Sequence, residues 1–146
     1  MQVSSFPVQS STDTYGVQWV LFDPKTPSTI YVGSYTKTTV YVSTNDGATW
    51  AALPGQPIAW PFPVNGGTNP PAPERALIDG DGDLYVTFDD LPGPNVIHYG
   101  IVEKYNPATK TWTNITPPPD APYQSGPLGG FVGLSQDPAR PGTVAV

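Results

Sequence analysis

Ser43-Thr-Asn-Asp-Gly-Ala-Thr-Trp50 ends an alternating run, Thr39-Val-Tyr-Val, and delivers a tryptophan after a polar turn. Asn hydrogen-bonds readily to the backbone that follows it and tolerates left-handed geometry. Gly47 supplies a positive φ without steric cost. Trp50 offers a large apolar surface to plug between layers. These properties describe a folded turn between two strands, with a direct ligand role as the rival reading.

Working outward, strand-like runs follow one another at short spacing. Val17–Phe22 leads through Asp23-Pro24-Lys-Thr-Pro27 to Thr29–Gly33, then Thr39–Ser43 and Trp50–Leu53. After a Pro/Gly loop, 54–73, come Arg75–Ile78, the turn Asp79-Gly-Asp-Gly82, and Leu84–Phe88. A loop over 89–100 precedes Ile101–Tyr105, the turn Asn106–Lys110 and Trp112–Ile115. A loop over 117–130 precedes Phe131–Leu134. No segment sustains a helical period, so the chain reads as all-β. The composition agrees: 20 Pro and 15 Gly make up about a quarter of 146 residues, as short strands and tight turns require.

The order repeats. VLFDPKTPSTIYV (Val20 to Val32) and GLSQDPARPGTVAV (Gly133 to Val146) share Asp-Pro, a later Pro, then Thr, a β-branched residue and Val. RALIDGDGDLYVTF forms a further hairpin between them. VYVSTNDGATW and VEKYNPATKTW each end a following hairpin in tryptophan. Two hairpins, or four short strands, make the unit, and a repeating four-stranded sheet is a β-propeller blade. The expected organisation is one blade over 16–56, a second over 74–117, and the opening hairpin of a third over 129–146. Blades bury their faces against neighbours in a ring of roughly four to eight. About two and a half blades therefore read as a piece of a larger propeller, with self-association as the alternative.

Ser-x-Asp/Asn-x-Gly-x-x-Trp, carried by Ser43, Asn45, Gly47 and Trp50, resembles the Asp-box, a structural turn of propellers. Asn106–Trp112 is its degenerate counterpart. The longer strings FDPKTPSTIYVGS, VYVSTNDGATWAALPGQP, RALIDGDGDLYVTF, the loop Gly-Pro-Asn, KYNPATKTWTNITP and GGFVGLSQDPARPGTVAV together resemble glycoside hydrolase family 74. The resemblance runs from about Val3 to Val146. It implies two seven-bladed propellers with a glucan between them, of which this chain matches an internal part of the first.

It also implies a secreted enzyme that cleaves the β-1,4-glucan backbone of xyloglucan with inversion. Two aspartates, one from each propeller, act as acid and base across about 6.5–9.5 Å. Each lies in an Asp-x-Gly-Gly-like segment that this sequence lacks, so no catalytic residue is carried over and the chain is expected to be inactive alone. A family Pro-His pair reads Pro73-Glu74 here, and the Gly-Pro-Tyr-Asp/Asn-Gly loop reads Gly93-Pro94-Asn95-Val96-Ile97. The candidate substrate contacts are Trp60, Asn95 and His98. Trp60 lies in a long loop, where binding residues concentrate, and loop packing is its rival reading. Trp19, Trp50 and Trp112 fall in strand patterns and are expected in the core.

Other features weigh less. Asp79-Gly-Asp-Gly-Asp83 suggests calcium, but an EF-hand loop needs Gly at its sixth place, where Leu84 stands. A hairpin turn is expected, with no metal and no cofactor. Asp89 and Asp90 are adjacent, and neighbouring strand residues diverge. His98 has no obvious Ser or Cys partner. The net charge of −6, with six Lys and Arg in all, offers no basic patch for nucleic acid or an anionic membrane. With no cysteine there is no disulfide and no thiol nucleophile. No signal peptide and no membrane span is legible. A non-catalytic carbohydrate- or protein-binding Asp-box segment is the alternative function. With only Arg75 and Arg140 present, a sialic-acid site is disfavoured.

Overall fold

The computed structural model describes residues 6–7, 16–61, 69–91, 98–118, 130–140 and 142–146. Among these there is no helix. Strands β1 (Val17–Phe22), β2 (Ile30–Ser34), β3 (Thr39–Ser43) and β4 (Ala51–Ala52) form one antiparallel sheet in chain order. Strands β5 (Ala72–Ile78), β6 (Leu84–Asp89), β7 (Gly100–Asn106) and β8 (Thr111–Asn114) form a second. Strands β9 (Ser135–Gln136) and β10 (Val144–Ala145) pair as a hairpin. The chain is an all-β propeller segment of two and a half four-stranded units.

The repeated Asp-Pro strings fold alike because each turn closes on its own aspartate. Asp23 Oδ1 accepts from the amides of Lys25 and Thr26 (2.8 and 3.2 Å), and the Asp23 amide donates to the Thr29 carbonyl (3.0 Å). Asp137 Oδ1 accepts from the Ala139 amide (2.9 Å), and the Asp137 amide donates to the Thr143 carbonyl (3.0 Å). Proline cannot donate, and its fixed φ favours the turn. In the second sheet, Asp79 does this work in a tighter loop, accepting from the amides of Asp81 and Asp83, both at 2.9 Å. Its other oxygen takes the Tyr85 hydroxyl (3.0 Å), and Asp83 pairs with Lys104 (2.6 Å). The Asp79 and Asp83 carboxylates are therefore bound into a hairpin turn.

The core lies between the two four-stranded sheets. Tyr31, Val40 and Leu53 from the first meet Leu84, Val86, Phe88, Ile101 and Tyr105 from the second. Trp112 packs its edge on Phe88 and tilts over Tyr105, with centroids at 5.9 and 5.0 Å. Its indole N–H donates to the Pro54 carbonyl (2.9 Å), which fastens β8 to the end of the first sheet. Trp19 lies over Gly33 of the neighbouring strand, where a Cβ would overlap the indole ring.

Three expectations need correction. Trp50 is not in this core. It lies on the far face of the first sheet, edge-on to Phe6 at 5.0 Å, among Val17, Val20, Phe22, Ile30 and Val32. The β3–β4 turn, not strand alternation, sets the side on which its ring emerges. The fifth strand begins at Ala72 rather than Arg75, because Pro73 sits on an edge strand beside a bulge, where no ladder donor is needed. The Phe131–Leu134 run is irregular, and the strand falls at Ser135–Gln136.

Phe88 is fully buried, so Phe88→Ala removes the ring on which Trp112 rests. A loss of about 3–5 kcal/mol is expected in urea unfolding, with a weakened near-ultraviolet tryptophan signal. Unchanged stability would show that the two sheets do not share one core.

Candidate functional site

The sheets have two unlike ends. At one lie the short turns. There the Ser43 hydroxyl accepts from the amides of Asn45 and Gly47 (3.3 and 2.9 Å) and donates to Asn45 Oδ1 (3.0 Å). Asn45 Oδ1 also accepts from the Thr49 amide (2.9 Å). Asp46 and Gly47 take φ of 57° and 81°, and the Asp46 amide reaches back to the Ser28 carbonyl (3.0 Å). The turn spends its polar groups on itself and on the β1–β2 turn. The Asn106 turn closes differently, with Asn106 Oδ1 accepting from Ala108 and Thr109, both at 3.0 Å.

The other end gathers residues from the connections after β2, β4 and β6, and Asp90 is the hub. It follows β6 directly and is almost fully buried. Its Oδ1 accepts from the amides of His98 and Tyr99 (3.0 and 3.2 Å), and Oδ2 lies 3.3 Å from His98 Nδ1. Its carbonyl accepts the Tyr35 hydroxyl (2.8 Å) and the Asn69 amide nitrogen (3.0 Å). The Asn69 carbonyl in turn accepts the Trp60 indole N–H (2.8 Å). One carboxylate and one carbonyl thus position an aromatic row: Trp60 to Tyr99 at 6.0 Å between centroids, Tyr99 to His98 at 6.4 Å. Trp60 and Tyr99 are half-buried and His98 is exposed, so the row presents ring surface at this end. Trp60 also packs against the core.

Asp89 turns away from Asp90, as alternation along a strand requires. It is fully buried, and its Oδ1 accepts the Phe131 amide (3.0 Å). Among the described residues its Oδ2 has no hydrogen-bond partner. Burial pushes its carboxyl up to about 7; the Phe131 amide opposes this, and the charges of Glu74 and Asp90 reinforce it. The bulge between Pro73 and Arg75 turns Glu74 inward, where it is buried beside the Arg75 guanidinium at 3.2 Å. Neither aspartate is open to a substrate. Among the described residues no group of three His, Asp or Glu side chains is placed to hold a metal ion.

Of the candidate contacts, Trp60 and His98 come together through Tyr99, Asn69 and Asp90. Asn95 lies outside the described residues. Ser43, Asn45, Gly47 and Trp50 stand at the opposite end. Tyr35, Asn69 and Tyr99 carried no signal in the sequence beyond Tyr99 adjoining His98.

Four-stranded antiparallel sheets in chain order, packed face to face, define the class as a β-propeller protein. No protein-family model matches the chain. It is 39% identical over 157 aligned residues to an oligoxyloglucan-reducing end-specific xyloglucanase of Emericella nidulans, covering 99% of this chain and 19% of that protein. A xyloglucanase of a Paenibacillus species is 35% identical, covering 99% of this chain and 14% of its own length. The crystal structure of a family 74 xyloglucanase from Xanthomonas campestris superposes with a TM-score of 0.71 at 31% identity, over 88% of this chain and 17% of that one. A family 74 enzyme from Niastella koreensis gives 0.68 at 30%, over 95% and 19%. The chain belongs to glycoside hydrolase family 74, and it spans about one fifth or less of the length of the relatives it matches.

Asp90→Ala strips the acceptor from two backbone amides, and each buried unsatisfied donor costs about 1–3 kcal/mol. A fall in the unfolding midpoint is expected, together with altered Trp60 fluorescence. Ser43→Ala orphans the Gly47 amide and is expected to lower stability by about 1–3 kcal/mol while leaving Trp60 fluorescence unchanged. Equal fluorescence responses to the two substitutions would show that the ends are not independent.

Proposed function

We propose that this chain is part of a secreted xyloglucan hydrolase, supplying propeller blades and a stretch of the wall of its substrate cleft. The blades run over 16–56 and 74–117, with the next opening at 129–146. The observation that carries the reading is the Trp60–Tyr99–His98 row, assembled on Asp90 at the loop-bearing end of the sheets. Flat rings suit the apolar faces of pyranose sugars, and an exposed imidazole adds a hydrogen-bonding edge. The names of the relatives supply the sugar, and the share of their length that the chain covers supports its role as a part.

The acid–base pair of the reaction belongs to other parts of the enzyme. Asp89 and Asp90 are consumed by packing, so residues 1–146 alone bind or support and do not hydrolyse. The Ser43–Trp50 turn is a structural Asp-box. The apolar face that carries Val17, Val20 and Phe22 packs against a neighbouring blade. Asn95 joins His98 as a sugar contact.

The test is titration calorimetry of the full-length protein with a xyloglucan oligosaccharide and with an unsubstituted cello-oligosaccharide. Tighter binding of the xyloglucan ligand is expected, and Trp60→Ala weakens it roughly five- to tenfold in Kd, about 1–1.4 kcal/mol. Equal affinity for both ligands, or for neither, would favour a non-catalytic module of other specificity. Hydrolysis by residues 1–146 alone would overturn the assignment of the acid–base pair elsewhere.

A further inference from the structure

The crossing of the Gly130–Phe131 segment over the end of the second sheet is unusually close. Gly100 begins β7, and a Cβ there would stand 2.5 Å from Asp89 Oδ1, 2.8 Å from the Gly130 Cα and 3.1 Å from the Phe131 ring. Contacts this short leave no room for a side chain, so Gly100 lets the segment lie directly on the strand. The Phe131 amide then reaches the Asp89 carboxyl at 3.0 Å. Asp89 Oδ2, on the far side of the same carboxyl, lies buried without a hydrogen-bond partner among the described residues.

We propose that Asp89, Gly100 and Phe131 form a proton-operated joint that clamps the segment after residue 130 onto the second sheet, closed when Asp89 is protonated and loosened as it ionises. The groups around the carboxyl decide the sign. From β5, Glu74 opposes a negative charge on Asp89, and Arg75 favours one. From its own strand end, Asp90 opposes it, with His98 beyond as the partner of Asp90. From the clamped segment, the Phe131 amide favours it. Burial outweighs all of these and favours the neutral acid. A neutral carboxyl still accepts the Phe131 amide through its carbonyl oxygen, and it removes the like charge that faces Glu74. Lifting the segment readmits water and makes ionisation easy.

In the closed joint the Asp89 carboxyl is pushed up to about 7, and in the open joint, with water readmitted, it is raised less. Closure is therefore most favoured at low pH and is lost as the pH rises toward about 7. It weakens by at most about tenfold per pH unit up to about 7, and is constant above that. The inference does not depend on the sugar the protein binds, since none of the three residues lies in the aromatic row.

Residue-resolved hydrogen exchange on the full-length protein, corrected for intrinsic rates, reads this directly. Between pH 5 and 7 the protection of the Phe131 amide is expected to fall by up to about a hundredfold, while that of Val86 in β6 changes far less. In Asp89→Asn the carbonyl oxygen keeps the acceptor and the titration is gone, so Phe131 protection should stay high and flat with pH. Persisting pH dependence in Asp89→Asn would assign the effect to the His98–Asp90 pair and overturn the joint. Should that variant fail to fold, the wild-type comparison decides: parallel changes at Phe131 and Val86, or none at Phe131, would overturn it.

Discussion

The first sheet carries apolar side chains on both of its faces and cannot bury both by itself. Its β2 is buried throughout, while β1 alternates. What resolves one face is the aromatic contact with the second sheet: Tyr31 on one side, Phe88, Tyr105 and Trp112 on the other. Trp112 adds direction to this otherwise non-directional attraction. Its N–H binds the Pro54 carbonyl across 58 residues of sequence, so the sheets meet in a single register. The position of every loop at the far end, and hence of the aromatic row, follows from that register.

The two ends differ in where their polar groups find partners. Short turns close on their own side chains, as Asp23, Asn45, Asp79 and Asn106 show. Such turns have few polar groups left for anything else. At the other end Tyr35, after β2, and Asn69, after β4, take their acceptor from the connection after β6. Asp90 is the acceptor they share, and the result is a surface assembled from the loops that follow β2, β4 and β6. Binding residues concentrate on loops held by a rigid scaffold, and the scaffold here ends in one carboxylate.

This explains which features could be read from the sequence. The repeated Asp-Pro strings and the Ser43–Trp50 turn were legible because the hydrogen bonds that close each turn on its own side chain span two to four residues. The four-stranded units followed from the order of those turns. Trp60 and His98 could be singled out by residue type and loop position. The interactions that unite them could not, because Tyr35 meets Asp90 across 55 residues and Asn69 meets it across 21. Trp50 was misplaced for a related reason. Its side of the sheet depends on how the preceding turn rotates the chain, and alternation says nothing about that rotation. Glu74 was legible as a departure from the family pattern, but the bulge that turns it inward had no signal beyond Pro73.

Asp89 and Asp90 show how far adjacent identical residues can part. The pleat sends one carboxyl toward β5 and the Phe131 amide, and the other toward the loop before β7. Asp90 meets two amides and an imidazole, so its polar capacity is used. Asp89 meets one amide and two other acids. Burial without enough donors disfavours the charge on Asp89, while Asp90 anchors the loop before β7. A pair of carboxylates in a hydrolase-like chain invites an acid–base reading. Here the geometry excludes it, because the two acids share no open space in which a substrate and a water molecule could stand between them.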